Sequence, residues 1–314
     1  MKAIFHYDAG PRLEARFATL RGEGFAIADC REDDNARLAA LLPQAEILLH
    51  VLKPVTATLI AAAPRLRLIQ KIGVGVNTID LDAARARGVA VANMPGTNTP
   101  AVAEATLLLM LAALRNLAGL DRASRAGRGW ALGNGLQERV GELRGRTVGL
   151  VGAGMVVAAL VPMLQAIGAR VIYCARRARP DLGIEYHTLP NLLQDSDIVS
   201  LHLPLVPATE RLIDGAALAH MKPGAILINT ARGGLVDERA LVEALTTGRL
   251  RAAGLDVFAI EPLPADHPLL ALDNLVLMPH VAWLTPETLD RSLDVAVENM
   301  RRLRDGHELL HRVV

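Results

Sequence analysis

The sequence contains little that would place it among disulfide-bonded or nucleic-acid-binding proteins. Only two of its 314 residues are cysteines, Cys30 and Cys174, and two cysteines cannot form a disulfide framework. The 34 basic and 33 acidic residues leave a formal net charge of +1. Because so small a charge creates no basic field, we expect neither nucleic acid nor an anionic membrane as a partner.

Long apolar runs and targeting signals are also missing. The most apolar run, ATLLLMLAAL from Ala105, is bounded by Glu104 and Arg115. It is shorter than the roughly 20 residues that a transmembrane helix needs, so we interpret it as a buried or subunit-interface helix. The chain does not open with a basic segment followed by an apolar one, as a secretory signal would. These absences favour a cytoplasmic protein.

The remaining composition is that of a globular protein with a large core. Hydrophobic residues make up 51% of the chain and charged residues 21%, although aromatic residues contribute only 3%. Because a single hydrophobic core stops growing at about 250–300 residues, a chain of 314 residues is predicted to form two domains.

Strand-like and helix-like segments alternate along most of the chain, which is typical of an α/β protein with parallel sheets wrapped by helices. The first series of strand-like runs reads MKAIFHY, GFAIADC, EILLHVL, LRLIQKIG and GVAVANM. The second reads TVGLVG, ARVIYC, DIVSLHL, AILINTA, AAGLDVF and NLVLMPH. A final helix, roughly Pro286 to Arg304, is expected to return to the first domain. The predicted domains are therefore residues 1–98 with 286–314, and residues 99–285.

The second series begins with LVGAGMVVAAL, where Gly152-Ala153-Gly154 joins a strand directly to a helical pattern. A dinucleotide-binding turn requires this context. Glycine at the first position permits the tight turn, and glycine at the second lets a pyrophosphate approach the free N–H groups of the helix. We therefore expect the turn, with Met155 and Val156 after it, to bind a dinucleotide.

The same segment departs from the dinucleotide-binding pattern at its third glycine position, which holds Val157. That glycine serves helix–strand packing, so the valine is expected to push the helix outward slightly without removing the phosphate site. Pro162 is expected to bend the helix. An ordinary strand–turn–helix connection is the alternative interpretation of this turn.

The basic run CARRAR, from Cys174 to Arg179, bears on the choice of cofactor. A site that prefers NAD would place an acidic residue here, about 20 residues after the glycines, to bind the ribose 2′-hydroxyl. Arg176 and Arg177 instead suit bidentate recognition of a 2′-phosphate. We predict a preference for NADP(H) over NAD(H), with a solvated basic turn as the other interpretation.

Longer segments carry a resemblance to a known family. NTARGGLVDERALVEALTTGRLRAAGLDVFAIEPLP starts at Asn229, and LMPHVAW starts at Leu277. HLPLVPATERLI starts at His202, and KIGVGVNTIDLDAARARGVAVANMPGTNTPAVAE starts at Lys71. These segments resemble the D-isomer-specific 2-hydroxyacid dehydrogenase family, the first matching its long signature and the second the segment of its catalytic histidine. The resemblance runs from about Arg65 to the C-terminus.

The resemblance implies two Rossmann-like, doubly wound α/β domains with the active site in the cleft between them. The first domain would be discontinuous and would bind substrate, and the second would bind the dinucleotide. A homodimer built largely on the cofactor domain is implied as well. No metal site is expected.

Three residues are candidates for the reduction of a 2-oxo acid, which needs a cation to hold the carboxylate and an acid to protonate the carbonyl oxygen. Arg232, after the strand-like run AILINT, has a guanidinium that can grip a planar carboxylate. His280 follows NLVLMP, and histidine exchanges protons near neutrality. Glu261 is the candidate carboxylate that fixes the tautomer of the imidazole and stabilises its charged form. The resemblance implies the same roles. Each residue taken alone also has a structural explanation. Arg232 could be a surface charge, His280 a packing residue and Glu261 part of a turn.

Further positions are implied by the resemblance with less specificity. The turn at Val74 and Gly75 resembles a backbone site for the substrate carboxylate. Lys53 is a candidate substrate contact because of its position in HVLKP after a first-domain strand, and not because of the resemblance, although a solvated loop lysine is slightly favoured. The additional cofactor contacts are Thr99, Pro204 with Leu205, Thr230 and Asp256. Asp256 is expected to lie near the nicotinamide carboxamide.

Trp283 gives the best indication of the substrate. In a chain so poor in aromatic residues, a tryptophan three positions after the candidate acid is expected to contact substrate, although it could pack the hinge. The HVAW segment resembles glyoxylate and hydroxypyruvate reductases more than the HxGxxT pattern of phosphoglycerate enzymes. We therefore expect a small, polar 2-oxo acid as substrate.

Two other functions are compatible with these motifs. The C-terminal-binding-protein corepressors carry a similar HxAW run and keep the fold and triad, yet act mainly as nucleotide-gated scaffolds. A scaffold is expected to carry tails or an apolar groove, and this compact sequence ends at HELLHRVV without such a tail, so an enzyme is favoured. The other alternative is a dehydrogenase homologue that binds its cofactor weakly because of Val157 and Pro162.

Overall fold

The strands of the computed structural model lie in two separate sheets and pair in parallel within each. The structure describes residues 1–131, 133 and 135–314. Contacts divide the chain into a first unit, Met1–Asn98 with Thr285–Val314, and a second unit, Thr99–Leu284. Every strand-like run predicted from the sequence contributes a strand, which confirms the α/β class.

The first unit contains a five-stranded sheet in the order β2-β1-β3-β4-β5. Its strands are β1 (Lys2–His6), β2 (Ala26–Asp29), β3 (Ile47–His50), β4 (Leu68–Lys71) and β5 (Ala90–Ala92). Its helices are α1 (Pro11–Arg21), α2 (Asn35–Leu41), α3 (Ala57–Ala62), α4 (Leu81–Ala86) and, from the end of the chain, α12 (Pro286–Asp305). A 3₁₀ helix spans Leu42–Gln44.

Capping side chains fix where several of these helices begin. Asp34, Thr56 and Asp80 each accept a hydrogen bond from a backbone N–H in the first turn of α2, α3 and α4. Helix α12 begins after Thr285, which caps it in the same way, and ends at Gly306 with a φ of 75°. Local sequence signals therefore set these boundaries.

The second unit contains a seven-stranded sheet in the order β12-β11-β10-β9-β6-β7-β8. Its strands are β6 (Thr147–Val151), β7 (Arg170–Cys174), β8 (Glu185–Tyr186), β9 (Ile198–Leu201), β10 (Ala225–Asn229), β11 (Leu250–Leu255) and β12 (Leu275–Leu277). Its helices are α5 (Thr99–Leu114), α6 (Leu117–Arg125), α7 (Leu136–Arg139), α8 (Met155–Ile167), α9 (Leu189–Asp195), α10 (Gly215–His220) and α11 (Glu238–Thr246). The 3₁₀ helices span Pro180–Leu182, Gly233–Leu235 and Pro268–Ala271.

The strand order of the second unit reverses at β6, which pairs with β7 on one side and with β9 on the other. In open α/β sheets, ligands bind beyond the carboxyl ends of the strands at such a reversal. The central strands are buried along their length, since every residue of β6, β9 and β10 is buried. The sheet therefore supports any site at its carboxyl edge from a rigid core.

Helix α5 contains the most apolar run of the sequence. Most of its side chains are buried, but Leu108 is 53% and Leu111 38% exposed. Among the described residues, no single helix is long and apolar enough to cross a membrane. Helices α5 and α6 reach that length and composition only as a pair with a bend of 65° between them.

Candidate active site

The predicted dinucleotide turn lies at the reversal of the strand order, directly after β6. Gly152 has a φ of 124°, and a Cβ built on it would lie 2.4 Å from the carbonyl oxygen of His202, at the end of β9. Only glycine tolerates both this backbone conformation and this close approach. The fold therefore requires glycine at the first position of the motif.

The second glycine, Gly154, borders open space instead of closely packed atoms. It is the N-cap residue of α8, with no side-chain cap, and no heavy atom lies within 4 Å of where its Cβ would be. The first N–H groups of α8, including those of Met155 and Val156, have no carbonyl partner within the helix. The open space beside these N–H groups fits an anionic group such as a pyrophosphate.

Val157 occupies the third glycine position and is fully buried. It packs in the apolar cluster that includes Val148, Leu150 and Leu160, and such burial contributes about 1.5–3 kcal/mol for a valine side chain. Helix α8 continues through Pro162 to Ile167. The outward displacement and the bend expected from these two residues stay predictions.

The three arginines of the CARRAR run differ in their surroundings. Arg179 donates to the carbonyl oxygen of Ala153 at 2.9 Å and pairs with Asp181, so its guanidinium stabilises the glycine turn. Arg176 and Arg177 are exposed, and within the described part of the chain neither makes a side-chain hydrogen bond or ion pair. These two guanidiniums therefore remain available to a ligand.

The predicted acid and its carboxylate partner lie in contact. Nδ1 of His280 is 2.6 Å from Oε2 of Glu261, and Oε1 of Glu261 accepts the N–H of Phe258 at 2.9 Å. Burial raises the pKa of Glu261, but the hydrogen bond and charge of His280, with help from Phe258 and Arg232, lower it below its ordinary value. The carboxylate is thus held ionised and directs the Nδ1 proton towards itself, leaving Nε2 to exchange a proton.

The backbone of His280 is held in the left-handed region, with a φ of 57°. The His280 N–H donates to the Asp256 carbonyl oxygen at 2.7 Å. The Asp256 carboxylate accepts the N–H groups of Val281 and Ala282 at 2.8 and 3.0 Å. Trp283 donates its indole N–H to the His280 carbonyl oxygen at 3.0 Å. A strained backbone persists only where its surroundings determine it, so Asp256 and Trp283 position the imidazole.

This structural task of Asp256 was not expected from the sequence, which suggested only a cofactor contact. Asp256 is 1% exposed. Burial raises its pKa, while the N–H groups of Val281 and Ala282 act in the opposite direction. The signal was its position at the carboxyl end of β11, but its partners lie 25 and 26 residues further along the chain.

Arg232 lies in the turn after β10, close enough to Glu261 for their charges to interact. Burial lowers the pKa of Arg232, and the charge of Glu261 opposes this. The next residue, Gly233, supports the Phe258 turn, because a Cβ on it would lie 1.9 Å from the Phe258 carbonyl carbon. Since Phe258 also holds Glu261, the structure brings all three predicted catalytic residues into one cluster.

The other predicted positions are distributed over both units. Thr230 is buried, with its hydroxyl 2.8 Å from that of Thr106. Thr99 begins α5, and Pro204 and Leu205 lie in the loop after β9.

Val74, Gly75 and Lys53 belong to the first unit. Val74 is 44% exposed. The Lys53 ammonium donates to the Glu32 carbonyl oxygen and to Asn35, both at 2.6 Å. The described residues contain no group of three or more side chains that could hold a metal ion.

The partly buried His202 was not singled out from the sequence as a separate residue. Its Nε2 lies 2.9 Å from the hydroxyl oxygen of Ser200, and its backbone N–H donates to the carbonyl oxygen of Val151. Burial lowers the pKa of His202 to about 4. The imidazole beside the glycine turn is therefore neutral near pH 7.

Comparison with known proteins assigns the second unit. Residues 107–282 match the family model described as D-isomer specific 2-hydroxyacid dehydrogenase, NAD binding domain. A solved structure of the TT0316 protein from Thermus thermophilus has a TM-score of 0.90 at 39% identity, with 100% of both chains covered.

Curated relatives include enzymes of two kinds. The D-3-phosphoglycerate dehydrogenase of Mycobacterium leprae is 43% identical over 273 residues, which are 85% of this chain and 51% of that protein. The chain thus spans about half the length of that relative. The glyoxylate reductase of Aeropyrum pernix is 43% identical over 255 residues, which are 79% of this chain and 76% of that protein. Identity does not separate the two kinds.

Proposed function

Because this chain belongs to the D-isomer-specific 2-hydroxyacid dehydrogenase family, whose members are oxidoreductases, we propose that it reduces a small 2-oxo acid to the D-2-hydroxy acid. Glyoxylate and hydroxypyruvate are the proposed substrates. The observation that carries the proposal is the ionised Glu261 bonded to His280 beside the charge of Arg232. This cluster supplies both a proton donor and a carboxylate-binding cation.

The family binds a nicotinamide dinucleotide, and the glycine turn fits one. The open space at Gly154 and the free N–H groups of α8 would hold the pyrophosphate. When bound, the nicotinamide supplies the hydride. We further propose that Arg176 and Arg177 favour NADP(H) over NAD(H), since both guanidiniums are exposed in the loop after β7.

His280 is proposed as the proton donor. With Nδ1 directed at Glu261, its Nε2 presents a proton when the imidazole is charged, and Glu261 stabilises that charge. As negative charge develops on the carbonyl oxygen of the substrate, the proton passes from Nε2 to that oxygen. Arg232 would hold the substrate carboxylate through parallel N–H···O bonds.

The first unit is proposed as the substrate-binding domain. Backbone N–H groups in the turn at Val74 and Gly75 are its proposed contacts for the substrate carboxylate. Lys53 is a weaker candidate, because its ammonium already donates to Glu32 and Asn35. Trp283 is proposed to limit substrate size through the position that it gives His280.

A homodimer is part of the proposal. On the second unit, Leu108, Leu111 and Leu117 are exposed, and Trp130 is fully exposed at 103%. Large apolar side chains concentrated on one stretch of chain are typical of a protein–protein interface. A second copy burying these side chains would agree with the cofactor-domain dimer implied by the family.

Two other functions remain to be tested against this one. A dinucleotide-sensing scaffold would keep the same Arg232 beside a bonded Glu261–His280 pair, so turnover of a 2-oxo acid is what separates it from an enzyme. A weakly binding homologue would be explained by Val157 and Pro162. Val157 is accommodated in the core rather than placed in the open space at Gly154, which favours normal binding.

The deciding experiment is steady-state oxidation of NADPH, and separately of NADH, by the purified protein. The substrates are glyoxylate, hydroxypyruvate, pyruvate and bulkier 2-oxo acids. Turnover that is fastest with glyoxylate or hydroxypyruvate and NADPH supports the proposal in full. If the folded protein shows no turnover with either nucleotide, the enzymatic function is wrong, and nucleotide titration then separates a tight-binding scaffold from a weak homologue.

A further inference from the structure

A second carboxylate lies behind the catalytic cluster, at the start of α11. Glu238 is the first residue of that helix, and its side chain is 15% exposed. Its Oε1 accepts the backbone N–H of Ala259 at 2.7 Å. This contact joins α11 to the turn that ends in Glu261, although 21 residues separate the two bonded groups along the chain.

Apart from the close packing of Gly233 against the backbone of Phe258 and Ala259, the turn from 258 to 261 has few other anchors. At its start, Phe258 is buried in the core of the second unit. After it, Ala259 and Ile260 are exposed, with Ile260 at 67%, so neither side chain anchors the turn by burial. The hydrogen bond from Ala259 to Glu238 is therefore the polar contact that fixes the middle of the turn.

Glu238 is itself oriented by a histidine. His267 Nδ1 accepts the N–H of Leu269 at 3.3 Å, which places the ring proton on Nε2. That nitrogen lies 3.4 Å from Oε2 of Glu238. The carboxylate thus has one oxygen directed at His267 and the other at Ala259.

We infer that Glu238 is a positioning residue for the reaction, holding the 258–261 turn so that the Glu261 carboxylate meets Nδ1 of His280. The chain of contacts runs from Glu238 to the N–H of Ala259, through the turn to Glu261, and on to His280. The inference rests on the proposed function, because it concerns the same proton donor. Catalytic geometry is sensitive to such support, since a displacement of about 1 Å can reduce a rate about 10²-fold.

The variants that test the inference leave the charged groups around His280 unaltered. Glu261 contacts the ring, and Asp256 and Arg232 contribute charge nearby. Glu238→Gln keeps an oxygen acceptor for the N–H of Ala259. Glu238→Asp keeps the charge but is one methylene shorter, and Glu238→Ala removes both. Glu243→Ala, an exposed carboxylate on the same helix, is the matched control.

The experiment compares these variants by 2-oxo-acid reduction and by ¹⁵N NMR of the histidine rings, with His280 assigned by its loss in His280→Asn. In the unaltered protein and in the Glu238→Gln and Glu243→Ala variants, the neutral ring of His280 should carry its proton on Nδ1. Glu238→Asp and Glu238→Ala should populate both tautomers and reduce kcat about tenfold or more, with the KM for nucleotide unchanged. Glu238→Asp keeps the test valid if the alanine variant does not fold.

Two results would overturn the inference: an unchanged tautomer in Glu238→Asp, or a kcat for Glu238→Asp equal to that of the unaltered enzyme. A loss of kcat in Glu238→Gln as large as in Glu238→Ala would also overturn it, because the hydrogen bond would then not be the reason. If the unaltered protein reduces no 2-oxo acid, the proposed function fails. The tautomer comparison still decides whether Glu238 positions Glu261.

Discussion

Nδ1 of His280 lies 2.6 Å from Oε2 of Glu261, so the imidazole and the carboxylate form one proton-handling unit. Burial raises the pKa of Glu261, but the hydrogen bond and charge of His280 have the larger combined effect and lower it below its ordinary value. Glu261 is therefore ionised near neutrality. The charged imidazole therefore always has an anionic partner above the lowered pKa of Glu261. Below that pKa, in acid, Glu261 protonates and the support is lost.

Glu261→Gln is expected to lower kcat/KM for 2-oxo-acid reduction by about 10²-fold or more. The amide can still contact Nδ1, but it cannot stabilise the charged ring. The loss of kcat/KM in acid that comes from protonation of Glu261 should therefore be absent from the variant. Full pH profiles of both proteins check this, and an unchanged profile would contradict the pairing.

Arg232→Lys is expected to raise the KM for the 2-oxo acid by about tenfold or more, since an ammonium lacks the fork that binds both carboxylate oxygens. The Kd for NADPH should remain unchanged. Initial-rate measurements and fluorescence titration of the nucleotide give the two values. Equal loss of substrate and nucleotide affinity would argue that Arg232 has a structural role instead.

Replacing Arg176 and Arg177 together by alanine should weaken the binding of NADPH by about 1.5–3 kcal/mol, which is the range for a hydrogen bond to a charged group. NADH should be affected far less. A double Arg122→Ala, Arg125→Ala variant serves as a control for the loss of two positive charges, because both arginines are exposed and pair with Asp273 and Asp121. Equal weakening of both nucleotides in the double variant would remove the 2′-phosphate argument.

Gly233→Ala should destabilise the second unit by about 1–3 kcal/mol, because the new Cβ would collide with backbone atoms of Phe258. Gly234→Ala is the matched comparison. Its Cβ would meet only the Leu205 side chain, at 2.9 Å, and a side chain can rotate away. Urea unfolding of the two variants should show the larger loss for Gly233→Ala; equal losses would mean that the turn gives way easily.

Stability should depend on pH through His202. Burial lowers its pKa to about 4 in the folded chain, whereas an exposed histidine titrates near 6.5. Its folded form binds fewer protons than its unfolded form between these values, so stability is lost as the pH falls from about 6.5 towards about 4. His202→Asn should remove roughly 3 kcal/mol of this dependence at most. Urea unfolding at several pH values measures it, and an unchanged slope would contradict a ring that stays neutral in the folded chain.

The strands and the glycine turn could be predicted from the sequence because their signals are local. Runs such as TVGLV followed at once by Gly152 and Gly154 identify a strand, a turn and a helix within a few residues. The exposed two-residue strand Glu185–Tyr186 was missed, because it is too short to show any periodicity. Residue types at strand ends also indicated Arg232 and His280.

The support of the cluster could not be predicted in this way. Asp256 and Glu238 act through backbone N–H groups, which every residue except proline possesses, so the partner leaves no mark in the sequence. Their hydrogen bonds also connect positions more than 20 residues apart. Only the folded sheet shows that the turns after β10, β11 and β12 meet.

The glycine turn, Arg232, Glu261 and His280 all belong to the unit Thr99–Leu284. If their proposed roles hold, one continuous segment of the chain contains the nucleotide-binding turn, the proton donor and one residue that binds the substrate carboxylate. Recombination that exchanges residues 1–98 would then leave the reaction type unaltered and change mainly which acids are accepted. New specificities could arise without rebuilding the chemistry.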